Sequence, residues 1–408
     1  MAAAGQLPPG RARTTEGIGQ EEGVEPTTVD LSRVAVVDNH CHPVWRDQRI
    51  TEVSVWRAHF TEGRGPATAS RHVATTVAYQ EAIRAIAAHL GCPSDEAAIL
   101  GARPAQALDG LLRGYWEDAR LGGLIVDDGF PPPGLGIDAE ELGAGLCPVG
   151  RVRRLETLFE DLIVGQRTIG AVRAALRDRL QEDRAGGWVG LKSIAAYRGG
   201  LRIRRWPEDE VETAFREART QVARGEGFRL TDRRLRDALL HEAFAFAART
   251  AWPVQFHCGY GDTDSDLLHA NPLRLRAVLE EPAYAGLPVV LLHEAYPYTR
   301  EAAYLCAVYD QVHLDLSFAA PFLAAAEMAA VTTAALGVAP WSKLLYASDG
   351  VGIPELHWLG AHRGRRVLGA CLGGLVDLGS LDGGAAEAAG EAILAGNARR
   401  LYGLAPLP

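Results

Sequence analysis

Two histidines separated by one residue, His40 and His42, follow a short apolar run at Val34–Asp38. On an extended backbone alternate side chains project to the same side, so both imidazoles can reach one cation. Three further donors stand in comparable places. His257 follows the run Pro253–Phe256, His293 follows Val289–Leu292, and Asp349 lies just past Leu344–Ala347. Neutral imidazoles with a carboxylate suit Zn2+, with Mn2+ or Fe2+ as alternatives. These donors span more than 300 residues of sequence, so they form one metal site only if the fold gathers the C-terminal ends of several strands on one face.

Composition singles out a sixth residue. Of 42 Lys and Arg residues, Lys occurs only at Lys192 and Lys343. Lys192 sits inside the apolar run Val189–Ala195, where an amine of depressible pKa can do what a guanidinium cannot, carbamate formation with CO2 included. Lys343 reads as a solvated surface charge. Tyr197 and Arg198 follow Lys192, and the arginine is placed to hold a substrate carboxylate bidentately. Tyr260 and Asp262, in the loop after His257, join them as expected substrate contacts. Asp262, Asp264 and Asp266 are also possible partners for Arg198 or for a substrate amine. Glu294 either orients its neighbour His293 or faces a helix. Cys41 and Cys258 adjoin donors but, by alternation, point into the barrel wall. The remaining histidines, His59, His72, His89, His241, His269, His313, His357 and His362, read as core or surface residues.

Apolar runs that mark buried strands recur at Val34–Asp38, Gly123–Val126, Val189–Ala195, Pro253–Phe256, Val289–Leu292, Val312–Leu316 and Leu344–Ala347. Helical patterns lie between them, such as Leu235, Leu239, Ala243 and Phe246 on one helix face. This alternation predicts an α/β fold with a parallel sheet. No GxGxxG or GxxxxGK[ST] motif follows an early strand, which favours a closed (β/α)8 TIM barrel over an open nucleotide-binding sheet. Residues 45–118 read as a helical insertion after the first strand, and residues 1–28 as a flexible leader too polar to pack. Residues 29–408 form a single barrel domain.

Against 42 basic residues stand 51 acidic ones, a formal charge of −9. That balance excludes a phosphate-backbone footprint and an anionic membrane surface. No apolar stretch approaches the roughly 18 residues needed to cross a bilayer. Six cysteines without CxxC pairs suit reduced thiols, hence the cytoplasm. The expected partner is a small-molecule substrate, with a homo-oligomer compatible.

The ordered set His40-Cys41-His42, His257, His293 and Ala347-Ser348-Asp349 resembles the amidohydrolase superfamily of metal-dependent TIM-barrel enzymes. The segments Gly190–Arg198, His257–Asp262, Leu292–Glu301 and Gly396–Gly403 resemble its amidohydrolase-related branch, which includes the barrel domain fused to glutamine synthetase-like proteins and has decarboxylases among its relatives. The likeness covers roughly residues 34–404; the chain ends at Pro408 and is read as lacking the synthetase domain. The resemblance implies that His40 and His42 bind one metal, that Asp349 ligates it and acts as base, and that His257 is the fifth-strand ligand. In binuclear members a carboxylated lysine bridges two metals, and Lys192 and His293 occupy the corresponding positions; in mononuclear members His257 joins the first metal and His293 polarises the substrate. The implied activity is water attack on an amide or other C–N bond of a small carboxylated molecule, with one or two Zn2+. Metal-dependent decarboxylation and a non-catalytic binding or scaffold role are the rivals, and sugar-acid isomerisation a weaker one.

Overall fold

A computed structural model describes residues 26–103, 107–132, 134–225, 227–317 and 322–404. The expected leader therefore lies, over residues 1–25, outside the described residues.

Eight parallel strands pair in chain order: β1 (Val36–Cys41), β2 (Leu121–Asp127), β3 (Val149–Arg154), β4 (Gly190–Ser193), β5 (Val254–Phe256), β6 (Val289–Leu291), β7 (Val312–Asp315) and β8 (Leu344–Leu345). Backbone bonds join the outer pair: Asn39 N donates to Tyr346 O at 2.9 Å and Asp349 N to His40 O at 3.0 Å. The ring with its helices is a (β/α)8 barrel. All six residues of β1 are buried, as expected of a strand covered on both faces.

Seven strands fall on the apolar runs of the sequence. The eighth, β3, does not, because Arg151, Arg153 and Arg154 interrupt its pattern. Each arginine is neutralised: Arg151 by Asp128, Arg153 by Asp183 and Arg154 by Asp127. Arg151 and Arg153 also lie over the Trp188 ring, at 4.2 and 3.8 Å from its centroid. Local hydrophobicity is therefore low where tertiary pairing makes a strand.

Helices Val53–Ala58, Val77–Leu90, Glu96–Ala102 and Leu108–Asp118 lie between β1 and β2, where the helical insertion was expected. Val77–Leu90 starts where the Thr76 hydroxyl accepts from Tyr79 N, buries Tyr79, Ile83 and Ile86, and ends at Gly91 with φ 64°. Each such side chain contributes roughly 1.5–3 kcal/mol when fully buried. The insertion is tied to the long helix Pro354–Asp377 by the buried Arg103–Glu355 pair, 2.5 Å apart.

One end of the barrel is filled. Val37, Ile125, Val152, Val290 and Leu345 cluster with Ala398 and Tyr402, which come from the segment after β8. Gly190 lies at this end, where a Cβ would crowd the Pro253 carbonyl at 2.8 Å and only touch the Tyr402 ring at 3.6 Å. The Tyr402 hydroxyl accepts from Gln255 Nε2 at 2.9 Å. The opposite end holds the polar residues.

Candidate metal centre

The register of β1 against β2 shifts between Asp38 and Cys41, and His40 and His42 come to lie with ring centroids 4.9 Å apart. Across the seam, Asp349 adopts φ 50°, a left-handed conformation that aspartate tolerates better than most residues. Its Oδ1 lies 3.5 Å from His40 Nε2 and 3.7 Å from His42 Nε2, and its Oδ2 lies 3.3 Å from His293 Nδ1. The His257 ring stands 4.4 Å from that of His293, centroid to centroid. Four imidazoles and one carboxylate thus converge from β1, β5, β6 and β8.

A hydrogen bond fixes the tautomer of His42. His42 Nδ1 donates to the Asp127 carbonyl at 2.9 Å, leaving Nε2 as the lone-pair atom. His257 Nε2 is buried and has no hydrogen-bond partner. Burial pushes all four imidazoles down, with Lys192 adding to the effect on each. Burial pushes the Asp349 carboxyl well up, opposed by Lys192 and reinforced by Glu62. Among the described residues no Lys or Arg forms an ion pair with Asp349. Neutral nitrogen donors and a largely enclosed acid, its side chain 16% exposed and without a Lys or Arg ion pair, make a donor set that a divalent cation would complete. His40, His293 and Asp349 offer donor atoms within 4.8 Å of one another, as do His40, His42 and Asp127.

Two buried aspartates fix the backbone around this centre. Asp38 Oδ1 accepts from Ser348 N at 2.9 Å and His40 N at 3.3 Å, and Oδ2 from Ser348 Oγ at 2.5 Å. Asp315 Oδ1 accepts from His293 N at 2.6 Å and Ser317 Oγ at 2.8 Å, and Oδ2 from Asn39 Nδ2 at 3.1 Å. Since the Ser317 proton goes to Asp315, its oxygen accepts from His293 Nδ1 at 3.1 Å. Burial raises Asp38 to about 7 and Asp315 to about 6.

Lys192 points into the barrel, 1% exposed, with Nζ 3.1 Å from His40 Nε2. Burial pulls it down to about 8. Arg154, its neighbour across the β3–β4 ladder, grips Asp127 with Nε and Nη2 at 3.0 and 2.7 Å from Oδ2. Arg154 offsets the burial of Asp127 and holds it down at about 2. Asp127 is therefore a paired anion that orients His42 through its carbonyl.

The expected substrate residues occupy the mouth. The Tyr197 ring lies 4.4 Å from that of His257. Gly261 passes so close that a Cβ there would collide with the Tyr197 hydroxyl and stand 3.1 Å from His257 Nε2. Tyr260 is half-buried, its amide bonded to Tyr296 O at 2.7 Å. Asp262 accepts from Arg64 of the insertion. Arg198 Nε lies 3.3 Å from Glu160 Oε1, so its carboxylate partner is Glu160 and not an acid of the 262–266 loop. Glu294 is fully buried with φ 50° and accepts from Thr332 Oγ1 at 3.2 Å; it faces a helix. Cys41 and Cys258 lie in the hydrophobic core, as alternation predicts. Asp38, Asp127, Arg154, Asp315 and Glu62 were not singled out by the sequence. Asp127 and Asp315 carry the same signal as Asp349, an acid at the end of an apolar run.

Comparisons with known proteins agree with this geometry. A family model described as amidohydrolase matches residues 158–404, a span that holds Lys192, His257, His293 and Asp349 and begins after His40 and His42. A crystal structure from Lactobacillus casei, provisionally described as a metal-dependent hydrolase, is 30% identical, with TM-score 0.81 over 92% of this chain and 98% of that one. Uronate isomerase from Thermotoga maritima shares the fold at 15% identity, with TM-score 0.62 over 91% of this chain and 95% of that one. Protein fluG of Emericella nidulans is 34% identical over 227 residues, 54% of this chain; the match spans only 26% of fluG. With its strand-end donors gathered at one barrel mouth, the chain belongs to the amidohydrolase family of metal-dependent TIM barrels.

Proposed function

We propose that the protein is a hydrolase that uses a divalent cation to cleave an amide or other C–N bond in a small carboxylated molecule. The observation that carries this reading is Asp349, a part-buried acid set among His40, His42 and His293 and free of any Lys or Arg ion pair among the described residues. His40, His42, His257 and Asp349 would hold one cation, Zn2+ by donor type with Mn2+ or Fe2+ as alternatives. His293 and Lys192 complete the set if there are two, Lys192 then as its carbamate, which its buried, depressed amine favours. A cation bound there lowers the pKa of water towards about 7 and polarises a carbonyl.

The chain's own groups supply the proton transfers. Asp349, pushed up by burial, accepts the proton of the attacking water and returns it to the leaving nitrogen. His293, its Nδ1 proton held by Ser317, would keep Nε2 as the lone-pair atom for a second cation. Tyr197, Tyr260 and Asp262 contact substrate at the mouth; Arg198 joins them by exchanging Glu160 for a substrate carboxylate. Six unpaired thiols suit a reducing compartment, the cytoplasm.

The test is metal content by elemental analysis together with amine or ammonia release from a panel of small N-acyl and lactam carboxylates. Release by the wild type and its loss in Asp349→Asn support the reading. Evolution of CO2, or aldose–ketose conversion of a sugar acid, without release of nitrogen would replace it. A chain without stoichiometric metal would be a binding or scaffold barrel.

A further inference from the structure

We propose that Asp38, Cys41 and His357 form a second metal site, distinct from the mouth, that takes a thiophilic divalent cation such as zinc. The three residues come from the outer side of β1 and from the first turns of the helix Pro354–Asp377. One ligand atom from each, a carboxylate oxygen, a sulfur and an imidazole nitrogen, lies within 4.8 Å of the other two. For any such triangle a point exists no more than about 2.8 Å from every corner, so shifts of about 0.5–0.8 Å at most reach the usual Zn–S and Zn–N lengths of roughly 2.0–2.3 Å.

His357 carries the argument. It is 4% exposed, and neither ring nitrogen has a hydrogen-bond partner. A buried polar atom left unpaired costs about 1–3 kcal/mol, so an imidazole with two orphaned nitrogens calls for a ligand. Its placement is enforced: a Cβ at Gly350 would lie 2.5 Å from the ring, and the Trp116 ring packs edge-on at 5.3 Å.

The other two donors have capacity to spare. Asp38 Oδ2 accepts one hydrogen bond, from Ser348 Oγ, and keeps a lone pair. Cys41 Sγ has one long contact, 3.7 Å to the Ile125 carbonyl, so binding a cation forfeits a single weak hydrogen bond, while the cation's charge must offset the burial that pushes the thiol well up. Coordination releases the thiol proton to solvent. A Cys, His and Asp set is chemically unlike the mouth, whose donors are imidazoles, a carboxylate and Lys192, so sulfur is the label that separates the two sites. Through Asp38, which holds His40 N and Ser348 N, a cation here would brace the seam of the barrel.

The experiment is cobalt substitution of the full chain, read by the near-ultraviolet thiolate-to-Co2+ charge-transfer band and by metal stoichiometry. The expected result is a band of one thiolate per chain in the wild type, kept in His257→Ala and lost in Cys41→Ser and in His357→Ala, each with one equivalent of cobalt. The wild type and His257→Ala also stand alone if the core variants fail to fold. Absence of the band in cobalt-saturated wild type, or its persistence in Cys41→Ser, would overturn the proposal. Because the readout is sulfur ligation, it is independent of whether the mouth hydrolyses anything.

Discussion

The amide of Asp349 donates to the carbonyl of His40 at 3.0 Å. The acid proposed as base and the first histidine are thus fixed backbone to backbone, across the seam where β8 meets β1. Asp349→Asn keeps the size of the side chain and tolerates φ 50°, but cannot take a proton. Turnover is expected to fall about 10²–10⁴-fold with the melting temperature little changed, measured by steady-state kinetics and calorimetry. Wild-type turnover in this variant would remove Asp349 from the mechanism.

Asp315 spends its carboxylate on His293 N, Ser317 and Asn39. Asp315→Ala leaves several buried donors unpaired and is expected to destabilise the chain by about 3–5 kcal/mol in denaturant titration. Asp315→Asn retains the shape and should cost less, while still lowering kcat because His293 loses its orientation.

Gly261 has no room for a side chain beside the Tyr197 hydroxyl and His257. Gly261→Ala is expected to cut kcat/KM at least tenfold while lowering the melting temperature by only a few degrees, since the crowding falls on the mouth and not on the core. An unchanged kcat/KM would place Tyr197 outside the substrate's reach.

Burial raises Glu294 to about 8. The folded chain therefore holds this proton over a range where the unfolded chain has lost it, so stability falls as pH rises from about 4.5 to about 8 and levels off above. Glu294→Gln removes the titration. Denaturation across pH 5 to 9 should show a shallower decline, leaving the variant more stable than wild type at pH 9 by a few kcal/mol. Parallel profiles would mean that Glu294 stays charged.

Chelation should abolish turnover and lower the melting temperature, and Zn2+, Mn2+ or Co2+ should restore both, because a ligand that binds only the folded state stabilises it in proportion to the logarithm of its concentration over Kd. Lys192→Arg tests the metal count. Two cations falling to one, with loss of bicarbonate dependence, fits a carbamate; an unchanged count of one leaves Lys192 as an amine beside His40.

The strand-end donors were legible because a parallel barrel turns a linear pattern, apolar run then polar residue, into a shared location. That rule located His40, His42, His257, His293 and Asp349, and it applies equally to Asp127 and Asp315, whose roles became visible only with their partners. β3 was hidden for the opposite reason: Arg151, Arg153 and Arg154 look solvated until Asp128, Asp183 and Asp127 are seen to neutralise them. Arg198 was read as a substrate contact or a partner of the acids at 262–266, and nothing local announces Glu160, 38 positions earlier. His357 was read as an ordinary helix residue; its two orphaned nitrogens are a property of the packed interior alone.

Tyr402, which fills the closed end of the barrel, is synthesised after every strand and every donor of the mouth. A chain cut short before Tyr402 would keep all eight strands and every strand-end donor, yet lose the ring that packs with Val37, Ile125 and Val290 and the hydroxyl that pairs with Gln255.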